Sequence, residues 1–122
     1  MGSAFSIPCL DNKNKVIITE PYSKVFIKDL SSKNKFHSAL KITLPKKLNF
    51  RKFSKDLLKE KFDLIVIALS LSGIDFIGKE LKNLKIKTPI LVLTKGLKYE
   101  KKNNTILTIS EQLKRNYKKM NI

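Results

Sequence analysis

Tryptophan is absent from these 122 residues, and cysteine and histidine occur once each, as Cys9 and His37. A single cysteine excludes an intrachain disulfide and fits a reducing compartment, so a cytoplasmic location is expected. One Cys and one His are too few for a structural zinc site, and no metal is expected. Arginine is nearly missing too. Of 26 basic residues only Arg51 and Arg115 are arginine, leaving 24 lysines. The formal net charge of +16 invites a nucleic-acid reading, because clustered cations neutralise phosphates. Against it, the lysines are spread along the whole chain, with no aromatic-interleaved cluster, and the residue best suited to bidentate phosphate and base contacts is scarce. No nucleic-acid partner is therefore expected, although the positive field favours small anionic ligands such as phosphates. No apolar run approaches the ~20 residues of a membrane span, and the start lacks the pattern of a secretory signal. No membrane partner is expected either.

What is present is a 42% hydrophobic chain of single-domain size, enough to build one core. Its rhythm alternates strand and helix. "KVIITE" (15–20) reads as a β-branched strand ending on Glu20, and "PYSKVFIKDLSS" (21–32) as a helix with Pro21 in its first turn. Residues 33–47 read as an irregular connection, "LNFRKF" (48–53) as a half-exposed edge strand, and Ser54 as the N-cap of a short helix carrying Leu57 and Leu58. "FDLIVIAL" (62–69) suits a parallel strand buried on both faces. Ser72 and Asp75 resemble a capping box, ahead of a helical stripe of Ile74, Ile77, Leu81 and Leu84. "TPILVLT" (88–94) is a second buried strand. Ile109, Leu113, Tyr117 and Met120 mark a last helix introduced by Thr108 and Glu111. Strands separated by helix-length segments give right-handed βαβ units. The expected class is α/β, a parallel sheet with helices on both faces.

Residues 1–13 read as a helix with a small front, Gly2, Ser3 and Ala4, although Pro8 should remove a hydrogen bond within it. In a dinucleotide fingerprint, G-x-G-x-x-G, the third glycine lets the first helix pack tightly on its strand, and an acid some 20 residues on meets a ribose hydroxyl. Gly2 taken as that third glycine stands 18 residues before Glu20. By themselves, a glycine near an N-terminus and a glutamate closing a strand need no ligand at all.

The whole chain, however, resembles the N-terminal nucleotide-binding domain of bacterial NAD(P)-dependent glycerol-3-phosphate dehydrogenase. "MGSAF" is similar to the end of that family's glycine fingerprint, "LPKKLNF…SKDL" to its connection before the fourth strand, "FDLIVIALS" to that strand, and "ILVLTKGL" to its strand ending in a Lys-Gly pair. Ser70 stands where the family commonly has proline, and Asp75 where a basic residue is frequent.

The resemblance implies a Rossmann-type sheet lacking its first strand, with residues 1–122 a partial dinucleotide-binding domain and a C-terminal helical catalytic domain beyond them. It implies reversible hydride transfer between NAD(P)H and dihydroxyacetone phosphate, giving sn-glycerol 3-phosphate for phospholipid synthesis, and a homodimer for the full-length enzyme. The general acid/base lysine is implied in the C-terminal domain, so no catalytic residue is expected within the fragment, which should be inactive alone. Cofactor contacts are implied for Gly2, Ser3, Glu20, Ser70 and Lys95, and substrate contacts for Lys95 and Gly96. Glu20 favours NAD because a carboxylate repels a 2′-phosphate; Lys24 nearby leaves NADP open. A ketopantoate- or 6-phosphogluconate-type dehydrogenase, a small lysine-rich nucleic-acid-binding domain and a degenerate gene product stand as alternatives.

Overall fold

The computed structural model describes residues 1–117 and 121–122. The chain divides into two compact units, Met1–Ser54 and Lys55–Ile122. The expected Met120 position lies outside the described residues.

In the first unit, helix α1 (Gly2–Asp11) leads to β1 (Ile17–Ile18), α2 (Lys24–Ser31), a small antiparallel pair β2 (Phe36–His37) and β3 (Ile42–Thr43), and β4 (Asn49–Phe50). β1 pairs with β4 in parallel, Ile17 opposite Asn49 and Ile18 opposite Phe50. Pro8 lies inside α1 without ending it; the helix forgoes the one amide that proline lacks. It closes in a Schellman motif, Asn14 N donating to Cys9 O and Lys13 N to Leu10 O. Lys13 takes the left-handed position, at φ 64°, where glycine is usual. Helix α2 begins later than the sequence suggests. Its N-cap is Ser23, whose hydroxyl accepts from Phe26 N, while Pro21 precedes it. The reason is Glu20, whose Oε1 accepts from Tyr22 N and Ser23 N and holds those residues in a turn. The connection expected to be irregular contains the β2–β3 hairpin instead. Asp29 pins that hairpin by accepting from Ser38 N (2.8 Å) and Ser38 Oγ (2.6 Å). Leu30, Leu44 and Leu48 form the core of this unit, with Ile7, Leu10, Val16, Ile18, Phe26 and Phe50 packed around them.

In the second unit, α3 (Lys55–Lys59) buries Leu57 and Leu58 as expected. β5 (Ile65–Ile67), α4 (Leu71–Asn83) and β6 (Ile90–Val92) form a βαβ unit, with β5 and β6 parallel in the register Ile65–Ile90, Val66–Leu91, Ile67–Val92. Ile74, Ile77 and Leu81 are buried, and Leu84 closes the helix half-buried. The reading of 62–69 as buried on both faces is corrected. Only Ile67 of β5 is fully buried, and Leu64 just before the strand is 46% exposed. The capping box at Ser72 and Asp75 is also corrected: Ser70 is the N-cap, and Asp75 accepts from Lys98 and Gln112. A hairpin that the sequence did not announce follows, β7 (Leu97–Glu100) against β8 (Thr105–Thr108). The last helix, α5 (Ile109–Asn116), has the expected capping box between Thr108 and Glu111. Gly78 brings α4 and α5 together, since a Cβ there would lie 2.2 Å from Tyr117 Cε2.

Candidate functional site

In parallel α/β sheets, ligands gather beyond the carboxyl ends of the strands. In the second unit these ends are Leu69–Ser70 after β5 and Leu93–Gly96 after β6. They are joined by Leu93 N donating to Ile67 O (2.8 Å) and by Thr94 Oγ1 donating to Leu69 O (2.9 Å). Leu71, which follows Ser70, lies against Gly96, which follows Lys95. The two expected site residues therefore share one corner. Ser70 is exposed, its Oγ 2.9 Å from Ser72 Oγ, and it caps α4 with no side-chain bond to the helix amides. The first turn of α4 carries no acidic residue, so its N-terminal partial positive charge is open to an anion.

Lys95 is exposed and meets no carboxylate among the described residues. Gly96 has φ +146°, and a Cβ there would lie 2.6 Å from Leu71 Cδ2. Glycine is thus required twice over, by backbone conformation and by the leucine that opens α4. The lysine lies three residues past the last paired residue of β6 rather than on the strand itself.

The other expected residues lie in the first unit. Gly2 and Ser3 form the first turn of α1, whose N-cap Met1 makes no side-chain cap and whose first turn has no acid. Ser3 is buried, its carbonyl accepting from Ser6 Oγ at 2.6 Å. Glu20 closes β1 with one carboxylate oxygen committed to backbone amides. Beside it Thr19 Oγ1 is buried with no hydrogen-bond partner among the described residues. Buried polar groups are otherwise paired, so this hydroxyl is an exception. Sequence reasoning passed over Thr19, whose only signal is a polar side chain closing an apolar run. Taken separately, the first unit offers the start of α1 to a phosphate and Glu20 to hydroxyl groups, and the second offers the start of α4 and Lys95 to negative charge.

His37 makes structural contacts: its ring packs tilted against Phe26 (4.8 Å between centroids) and Nδ1 accepts from Leu40 N. Cys9 is half-buried in α1. Among the described residues no cluster of His, Cys, Asp and Glu is suited to a metal ion, and no helix is long and apolar enough to cross a membrane. A cavity of about 350 Å³ lies elsewhere, lined by Lys33, Asn34, Lys35, Phe36, Thr43, Leu44 and Lys46. Lys35 Nζ is already spent there on the carbonyls of Lys46 and Leu48.

No curated protein matches the chain. A family model does, over residues 1–122, described as the NAD-dependent glycerol-3-phosphate dehydrogenase N-terminus. The parallel pairs β1–β4 and β5–β6 are those of a Rossmann-like α/β fold, and the family is one that binds NAD(P). The chain belongs to the N-terminal, NAD-binding domain family of glycerol-3-phosphate dehydrogenase.

Proposed function

We propose that this chain is the cofactor-binding part of an enzyme that moves hydride reversibly between NAD(P)H and dihydroxyacetone phosphate, giving sn-glycerol 3-phosphate. The observation that carries the reading is the Lys95–Gly96 corner beside Ser70, at the strand ends of a chain matched throughout by the family. The bound dinucleotide supplies the hydride. The protein's own part is to bind and orient. The first turn of α1, at Gly2 and Ser3, offers backbone N–H groups to the pyrophosphate. Glu20 accepts from ribose hydroxyls and disfavours a 2′-phosphate, so NAD is the preferred cofactor. Ser70 contacts the cofactor at the second strand end.

Lys95 has two tasks in this reading. Its ammonium donates to a substrate oxygen and offsets phosphate charge, and both interactions strengthen where water is excluded. Gly96 lets the backbone approach the ligand closely. None of the residues assigned here acts as general acid or base. The 122-residue chain therefore binds cofactor without turnover, and the proton-transferring lysine belongs to a C-terminal helical domain, as in the family it resembles. The complete enzyme works in the cytoplasm, as a homodimer, and feeds phospholipid synthesis.

NADH fluorescence offers a direct test, because the chain has no tryptophan to interfere. NADH emission should rise saturably on titration with the chain, and Lys95→Ala should weaken binding about tenfold, the scale of one charge-assisted contact. Unchanged binding in Lys95→Ala would remove Lys95 from the site. Turnover of dihydroxyacetone phosphate and NADH above a boiled control would contradict the division of labour.

A further inference from the structure

The β7–β8 hairpin has two unlike faces. Residues opposite each other in an antiparallel pair share a face, and the register sets Leu97 opposite Thr108 and Tyr99 opposite Ile106. The other face carries Lys98 opposite Leu107 and Glu100 opposite Thr105. That second face is engaged by its own unit: Leu107 is buried, Lys98 pairs with Asp75 (3.1 Å) and Glu100 with Arg115 (3.0 Å). The first face is bare. Leu97, Tyr99 and Ile106 are 64%, 56% and 66% exposed. Side chains of this size stacked on one small hairpin form an apolar patch, not the scattered exposure normal to a surface.

Beyond the patch, at the hairpin tip, a single 3-10 turn (Lys101–Asn103) presents Lys101 and Lys102, both exposed and without a carboxylate partner among the described residues. Asn104, at φ 50°, and its bond from Tyr99 Oη (2.7 Å) fix the turn on the strands. An apolar face with paired cations at its tip and its one acid on the reverse side is complementary to a surface that is apolar beneath and anionic above.

We infer that this face docks on an anionic lipid surface, Leu97, Tyr99 and Ile106 entering the headgroup boundary while Lys101 and Lys102 meet lipid phosphates. Several observations select a bilayer among possible occupants. A specific acidic protein partner is usually read through arginine and aromatic anchors, whereas the cations here are all lysine, hydrated point charges suited to the diffuse field of anionic headgroups. Tyrosine is enriched at membrane interfaces. The contact is peripheral and involves no spanning segment.

Cosedimentation of the full 122-residue chain with vesicles tests this. Phosphatidylcholine vesicles with about one-third phosphatidylglycerol should retain the chain, and pure phosphatidylcholine vesicles should not. The triple variant Leu97→Ser, Tyr99→Ser, Ile106→Ser should lose about tenfold or more in partitioning, and Lys101→Gln with Lys102→Gln a comparable amount. Removing the same charge elsewhere, by Lys33→Gln with Lys46→Gln, should leave binding within about twofold of the parent, since neither lysine belongs to the inferred contact. Matching far-UV circular dichroism confirms that each variant is folded. Failure of the parent chain to bind anionic vesicles overturns the proposal. So does equal binding by the triple variant, which would reduce the effect to general lysine attraction. Patch-dependent binding to polyglutamate without vesicle binding would assign the face to an acidic protein, and patch-dependent self-association without vesicle binding to a second copy.

Discussion

The two units are held together by different means. Among the described residues, Met1–Ser54 buries three large aliphatic side chains, Leu30, Leu44 and Leu48, whereas Lys55–Ile122 contributes the other eleven buried hydrophobic residues, from Leu57 to Tyr117. Beside that small core the first unit has polar staples: Glu20 on two amides, Asp29 on Ser38, and Lys35 on two carbonyls. The parallel pairing of β1 with β4 in this unit spans only two residues of each strand. The second unit has directional bonds too, Lys98 and Gln112 on Asp75 and Arg115 on Glu100, so the lesson is that the two regions differ in how much they bury.

Cavities should hurt the second unit most. Leu81, fully buried on α4, is expected to cost about 2–5 kcal/mol when changed to alanine, read as a lower midpoint in urea. Gly78→Val should act at least as strongly, because its side chain would displace the Tyr117 ring from α4. A smaller effect of opposite sign is expected at the helix ends. α4 closes like α1, in a Schellman motif with Lys85 at φ 52°. Lys85→Gly and Lys13→Gly should each gain about 1 kcal/mol by relieving a left-handed lysine.

Acid should act first on the polar staples. The Ser38 hydroxyl, and then its amide, hold the Asp29 carboxyl below the usual aspartate range. A lowered folded pKa contributes stability that is complete above the unfolded value and is lost as pH falls through the folded one. Ser38 amide exchange should therefore accelerate in that acid window and not at neutral pH. In the second unit Glu111 is lowered in the same sense by Thr108, so fraying of α5 belongs to the same window. Base acts on Tyr117, which burial, and then Asp75, push upward. Its contribution is complete below the ordinary tyrosine pKa and lost as pH rises through the raised one, so Tyr117→Phe should flatten the alkaline limb of the stability profile.

Legibility in the sequence followed periodicity rather than the division into units. The helical stripe of Ile74, Ile77 and Leu81, the cap at Thr108 and the two apolar runs that became β5 and β6 could be read because burial repeats with a helix or strand period. The Lys95–Gly96 corner was legible as a strand end followed by glycine. The start of α2 was misread because Glu20 captures the amides of Tyr22 and Ser23, a side-chain competition that no apolar period records. The β7–β8 hairpin was missed because a lysine-rich turn closed by Asn104 lacks the glycine that usually announces such a turn, and because one of its faces is bare. Asp75 was read as a helix cap when its partners, Lys98 and Gln112, lie far along the chain.

The most direct test of the proposed cofactor contacts is amide NMR of the 122-residue chain titrated with NADH. Shifts are expected at Ser70, Lys95 and Gly96, together with Gly2, Ser3 and Glu20. Saturable shifts confined to the cavity residues between Lys33 and Lys46, with the strand-end corner silent, would contradict the account.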